Sequence, residues 1–275
     1  MIQISVLLLS TLFHFLSFEL HAYIYPYETP VAKYLTKIEV TEYYTGLDLV
    51  DCIYVINLDK RPEKWERMQS IFAERNLRAN RVSGVKGWEL TTENMQELAG
   101  TYPITFRPGE AGCLLSHVSV LQDAYERGFD VIWDCEDDIA FEDSVELIPY
   151  FIEKLNEIDP DWDVFFTDLN TKNSKGEYLY SGNIVCRPDQ KHYPHDYYRY
   201  RNQVADDILR IRQRYGTYSM IISRKGIKKM LDYFTHVYLW GAIDNDMHFV
   251  PKIREYCPTW EVVSIFFDNN ISDIR

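Results

Sequence analysis

Residues 131–143, VIWDCEDDIAFED, constrain the fold more than any other stretch of the chain. The segment opens as a short apolar run with β-branched residues, the profile of a buried strand. It then breaks into three consecutive acids, Glu136, Asp137 and Asp138. Unpaired carboxylates lose their hydration on burial, so the triplet belongs at the end of a strand and not within a core. Ligands bind at the carboxyl edge of an α/β sheet, and acids placed there can hold a hard divalent cation. Alternate residues of an extended chain share a face, so Glu136 and Asp138 can address one ion while Asp137 points elsewhere. On these residues alone, a solvated turn closing the strand is an equal reading.

The flanking chain alternates strand and helix patterns. Residues 52–58, CIYVINL, read as a buried strand, and Pro62 suits the first turn of a helix whose Trp65, Met68, Ile71 and Phe72 form an apolar face. This is the first half of a βαβ unit, with Asn57 and Arg61 in the turn where a ligand would sit. Without further information Arg61 reads as a solvated surface residue. Residues 79–85 suggest a second strand, and a short helix is expected near 92–98. The next helix opens at Gly109 and carries Leu114, Val118, Leu121 and Tyr125 on one face, with Ser116 and His117 beside that stripe. A histidine in such a place is ordinarily a hydrogen-bonded structural residue.

Pro149 fits the start of another helix, and residues 163–168 form a strand that again ends in an acid, Asp168. Residues 170–218 are irregular, with Tyr193, Tyr197, Arg199, Tyr200 and Arg201 interleaved and a short helix expected from Ala205. Such interleaving suits stacking on a sugar or nucleotide, or equally a lid with buried rings. Strand character resumes at residues 218–222, and Ser223 can cap a helix carrying Ile227, Met230, Leu231 and Phe234. Asp244, Asp246 and His248 then fall in one short turn, and residues 261–267 read as a final strand. Nothing repeats, and no linker separates two halves. The expectation is one α/β domain over residues 52–275 with a largely parallel central sheet, preceded by a stem or extra strand at 23–51.

Composition narrows the partners. A formal net charge of -13 excludes a general nucleic-acid binder, for which a basic stripe is required. An anionic ligand must therefore be met by local arginines or by a bound metal. Residues 1–22 are apolar, with Glu19 their one formally charged side chain, and Ala22 is a suitable residue before cleavage. They read as a signal peptide or signal anchor, placing the protein in the secretory pathway; cytoplasmic residence with membrane association through this segment is the alternative. The five cysteines show no close metal-ligand pairing with one another. Three lie in apolar segments, as buried thiols do. Asn270-Ile271-Ser272 fits a glycosylation acceptor.

Several motifs together resemble glycosyltransferase family 25, which includes bacterial lipooligosaccharide galactosyltransferases and procollagen galactosyltransferases. Residues 55–62, VINLDKRP, are similar to the family's opening signature, and residues 109–117, GEAGCLLSH, to its second. Glu136-Asp137-Asp138 falls at its acidic metal-binding motif. Residues 216–226, GTYSMIISRKG, and Ile243-Asp244 resemble later signatures. The resemblance implies a GT-A type nucleotide-sugar-binding fold, a UDP-hexose donor (galactose or glucose), a divalent cation such as Mn2+ or Mg2+, and inversion at the sugar carbon. It implies Glu136 and Asp138 as metal ligands, with Asn57, Arg61, Ser116, His117 and Asp137 around the nucleotide or diphosphate. Asp244, with Asp246 second, is the candidate base for a hydroxyl on a glycan, lipid-linked or protein acceptor. The sequence departs from the family where Asp134 and Cys135 precede the acids. A secreted, catalytically inactive member acting as a binding protein is the alternative; a metal-dependent hydrolase finds no histidine-rich ligand spacing in support. If residues 1–22 direct export, intact-mass analysis and fractionation of the native protein will find them removed or membrane-held; a soluble, uncleaved chain in the cytoplasm would contradict this.

Overall fold

The computed structural model describes residues 28–179, 187–188 and 190–266, so the apolar leader, Cys186 and the Asn270 pattern lie outside the described residues. Strand β1 (Cys52–Asn57) sends Cys52 and Tyr54 into one apolar cluster and Ile53 and Val55 into another, because alternate strand residues face opposite sides. Helix α1 (Pro62–Ala73) starts on Pro62, where a missing N–H is tolerated, and buries Met68 and Phe72. Strand β2 (Asn80–Ser83) follows, then α2 (Thr92–Ala99), whose first turn is closed by reciprocal bonds between Thr91 and Asn94. Helix α3 (Pro108–Arg127) is stopped by Gly128, whose φ of 78° suits glycine. Next come β3 (Val131–Glu136), β4 (Ile139–Phe141), α4 (Leu147–Ile158) and β5 (Val164–Phe166). The irregular region contains one turn of helix, α5 (His195–Tyr198), then β6 (Arg201–Ala205) and β7 (Ile208–Ile211). Strand β8 (Ser219–Ser223) leads into α6 (Arg224–His236), with the Ser223 side chain accepting from Gly226 N as a cap. The short α7 (Ile243–Asp246), β9 (Glu255–Pro258) and β10 (Val263–Ile265) complete the described elements.

The central sheet has eight strands in the order β2-β1-β3-β8-β5-β9-β7-β6. Six of them run one way and β8 and β7 run against them, so the sheet is largely parallel with two antiparallel insertions. Helices cover both faces. Leu114, Val118 and Leu121 of α3 pack with Ile227 and Met230 of α6 on one side, and Phe72 of α1 with Phe151 and Leu155 of α4 on the other. This is a single α/β sandwich. The chain leaves β1 toward β2, then crosses back through α3 to place β3 on the opposite side of β1. The carboxyl ends of β1 and β3 therefore flank a topological switch point, where open α/β sheets bind ligands.

One expectation is corrected. The helix anticipated from Ala205 is a β6–β7 hairpin, because Ile208–Ile211 pairs along β9, a long-range partner that local propensity does not reveal. Strand β9 itself is short and was not anticipated. The closing strand expected within residues 261–267 is present as Val263–Ile265, paired with β4 in a separate two-stranded sheet. Within residues 28–51 there is a 3-10 turn at Pro30–Tyr34 and no strand, and Val31, Ile38 and Val40 are buried in the α3–α6 core. No helix among the described residues is long and apolar enough to cross a membrane.

One close approach shapes the sheet edge. A Cβ on Gly112 of α3 would stand 2.6 Å from Val85 O and 2.7 Å from Gly87 N, so the turn after β2 lies directly on the helix. Rigid backbone atoms cannot give way here as a side-chain tip can. Gly112→Ala is expected to cost about 1–3 kcal/mol by overpacking, measured as a lower urea midpoint with an unchanged slope. A variant as stable as the parent would show that this contact is loose.

Candidate active site

At the switch point the surface opens into a cleft with two lobes. The first, about 640 Å³, is lined by Lys64 of α1, Trp88 after β2, and Gly112, Ser116 and His117 of α3. The second, about 910 Å³, lies toward Thr171, Gly216, Thr217 and Asp244. Cys113, Glu136 and Asp138 border both lobes and so form the wall between them. The acid triplet thus stands at the sheet edge, as its strand-end position required. Asp138 occupies the turn between β3 and β4 and is half-buried.

The wall is braced from below. Ile132 and Asp134 of β3 face α3, and Asp134 Oδ2 lies 2.7 Å from His117 Nδ1 in a fully buried contact. His117 Nε2 lies 3.5 Å from Glu136 Oε1, and Thr217 Oγ1 donates to the same oxygen at 3.0 Å. Burial opposes a charged imidazole, but Asp134, Cys113 and Glu136 hold the His117 pKa well above its ordinary value. Burial alone would raise the Glu136 carboxyl; His117, Thr217 and Lys64 more than offset this and hold it below the usual range. Burial, reinforced by the Glu136 charge, pushes Asp138 up to about 7. Burial also pushes the Cys113 thiol up to about 11.

The five residues assigned to the donor side divide into two groups. Ser116, His117 and Asp137 line the first lobe. Ser116 Oγ donates to Gly112 O at 2.7 Å and accepts from Val85 N at 2.8 Å, tying the β2 turn to α3. Asn57 and Arg61 are not among the lining side chains of either lobe. Asn57 Nδ2 instead donates to Asp137 Oδ2 at 2.7 Å and to Arg61 O at 2.9 Å, so it positions the acid and the turn. Lys64, one helical turn beyond Arg61, reaches the lobe and lies 3.1 Å from Asp137 Oδ1. It was missed by sequence reasoning, and its spacing from Arg61 was the available signal. Trp88 was also missed: it is 47% exposed at the lobe, with Lys60 Nζ 3.9 Å from its ring centroid.

Asp244 and Asp246 occupy different environments. Asp244 lines the second lobe, and its Oδ2 accepts from Gly216 N at 3.0 Å. Burial raises its pKa, with the Glu136 and Glu110 charges adding to the effect. Asp246 is 4% exposed, accepts from Arg187 Nη1 at 2.7 and 2.9 Å, and does not line the cleft. Its buried ion pair makes it a fold contact, and the second candidate base is withdrawn from the cleft. His248 is likewise engaged, with Nδ1 2.7 Å from Glu255 Oε2. In the Tyr/Arg segment, Tyr193 and Tyr197 stack at 4.0 Å and Arg212 lies 3.6 Å over the Tyr197 ring, but none of these lines either lobe.

Comparison with known proteins gives this cleft a family. A family model described as glycosyltransferase family 25 (LPS biosynthesis protein) matches residues 50–247. A Drosophila pseudoobscura pseudoobscura protein named glycosyltransferase 25 family member is 27% identical over 217 residues, 74% of this chain and 30% of that protein. Procollagen galactosyltransferase 1-A of Xenopus laevis is 29% identical over 191 residues, 66% of this chain and 28% of that protein. A Homo sapiens relative named inactive glycosyltransferase 25 family member 3 is 28% identical over 142 residues, 48% of this chain and 24% of that protein. The chain spans less than a third of the length of these relatives. The matched region contains both lobes' acids, from Glu110 through Asp244, and the chain belongs to glycosyltransferase family 25.

Proposed function

We propose that the cleft transfers a hexose, galactose or glucose, from a UDP-sugar to an acceptor hydroxyl with inversion at the sugar carbon. The observation that carries this reading is the acidic wall between two lobes, with Glu136 and Asp138 bordering both and Asp244 lining the second. The donor belongs in the first lobe. There the first turn of α3 brings Gly109 to the lobe, and a helix N-terminus favours an anion. Lys64 adds a positive charge, which answers how an acidic chain meets a diphosphate.

A divalent cation fits Glu136 and Asp138. Asp138 Oδ1 is buried without a hydrogen-bond partner, an arrangement that leaves one carboxylate oxygen for an ion. Mn2+ or Mg2+ suits such oxygens and, when bound, would stabilise the charge that grows on the departing diphosphate. The acceptor belongs in the second lobe, where Asp244 can take the proton from its hydroxyl. The raised pKa of Asp244 makes it a better base than an ordinary aspartate, and Gly216 N fixes one of its oxygens. The acceptor is a hydroxyl on a glycan, a lipid-linked sugar or a protein, and secretion with loss of turnover is the competing reading.

A screen of sugar nucleotides with and without Mn2+ tests the reading, with nucleotide release expected for a UDP-hexose only when the metal is present. Binding without release, for every donor, would favour the inactive binding protein. Asp138→Asn should weaken Mn2+-dependent donor binding in calorimetry. In the parent, Mn2+ affinity should fall as the pH drops below about 7, since the proton then competes for Asp138. Flat affinity from pH 8 to 5.5 would remove Asp138 from the metal site. Asp244→Asn should leave Mn2+ and donor binding nearly intact and lower turnover by roughly 10²–10⁴-fold, the usual contribution of a general base. Near-normal turnover in a folded variant would end that assignment.

A further inference from the structure

Sugar transfer leaves Cys113, on the α3 side of the wall, without a task. Cys113 and His117 are four residues apart on α3 and therefore share a helix face, against which β3 places Glu136. Cys113 Sγ, a ring nitrogen of His117 and a carboxylate oxygen of Glu136 all lie within 4.8 Å of one another. We infer that Cys113, His117 and Glu136 form a three-ligand site for a thiophilic transition ion of the Zn2+ or Co2+ class, with a fourth position open to the cleft.

The orientation of His117 points to such an ion. Its side chain is 1% exposed, and Nδ1 is engaged with Asp134 at 2.7 Å. Nε2 is buried and makes no hydrogen bond, although it is directed at Glu136 and Cys113. A carboxylate on one ring nitrogen, with the other nitrogen facing further donor atoms, is the arrangement that orients metal-bound histidines. The 3.5 Å between Nε2 and Glu136 Oε1 is long for a hydrogen bond. It matches the roughly 3.4 Å that nitrogen and oxygen ligands keep around a tetrahedral zinc. Cys113 and Glu136 border both lobes, so an ion held here would keep one face toward the ligand.

Donor chemistry sets the selectivity. Sulfur, imidazole and one carboxylate suit Zn2+ or Co2+ better than Mg2+, whereas Glu136 with Asp138 offers oxygens alone. On binding, the Cys113 thiol releases its proton to solvent and Sγ donates the electron pair to the ion. His117 binds as the neutral ring, keeping its Nδ1 proton toward Asp134, so an imidazolium would release its Nε2 proton as well. Two anionic ligands then balance the divalent charge. The inference deepens the sugar-transfer reading and rests on it only for the cleft's use of metal: Glu136 is shared, so an ion held here and one held with Asp138 compete for it.

Titration of metal-stripped, full-length protein with Co2+, without donor, tests the site. The expected result is a thiolate-to-cobalt charge-transfer band in the near ultraviolet, intense visible bands of four-coordinate cobalt, and proton release. Cys113→Ser, at a half-buried position where the fold should tolerate it, should abolish the charge-transfer band and weaken Co2+ binding by more than about tenfold. Asp138→Asn should retain the band. Absence of Co2+ binding, binding with no thiolate band, or a band that survives Cys113→Ser would each overturn the proposal and leave His117 as a buried ionic clamp. A protein that shows the band but never binds a sugar nucleotide would lose the transfer reading and keep the site.

Discussion

The cleft depends on one buried contact, His117 against Asp134. It joins α3, which walls the first lobe, to β3, which carries the acids, and neither residue is exposed to water. Removing one partner of such a pair leaves an uncompensated buried charge, typically a loss of about 3–5 kcal/mol. The contact also fixes which ring nitrogen faces Glu136, and so sets the character of the wall between the lobes. Asn57 plays the same part on the β1 side, holding Asp137 through its amide nitrogen. Side chains that first suggest ligand contacts thus serve in part to aim others.

The sheet explains why these residues meet. The switch from adding β2 on one side of β1 to adding β3 on the other leaves space at the carboxyl ends of β1 and β3, and α3 must begin there to cross back over the sheet. A helix N-terminus, a lysine from α1 and the acids of β3 then converge without any strained backbone. Antiparallel β8 adds the opposite rim. Its entry through Gly216 and Thr217 supplies bonds to Asp244 and Glu136 from the far side of the cleft.

Much of this was legible in the sequence because the signals were local. The apolar runs at residues 52–58 and 131–135, the Pro62 start, the Ser223 cap and the strand-end acids each act within a few residues. What escaped depended on distant partners. The pairing of β7 with β9 turned an anticipated helix into a hairpin, and Asp246 proved to answer Arg187, 59 residues away, instead of the cleft. Cys113 and His117 were each noticed for other reasons, yet their four-residue spacing becomes a ligand pair only when Glu136 arrives from β3. Lys64 was passed over because an exposed helix face explains a lysine equally well until the fold turns it inward.

In the proposed transfer, a donor in the first lobe and a base in the second would put the incoming hydroxyl on the side of the sugar carbon opposite the leaving diphosphate. Proton NMR of the first sugar released from a UDP-α-hexose in the presence of Mn2+, with water as the acceptor, reads this directly. The β-anomer should accumulate first and equilibrate only afterwards. Initial release of the α-anomer, or no consumption of any UDP-hexose, would contradict a cleft that divides donor from base across the Glu136–Asp138 wall.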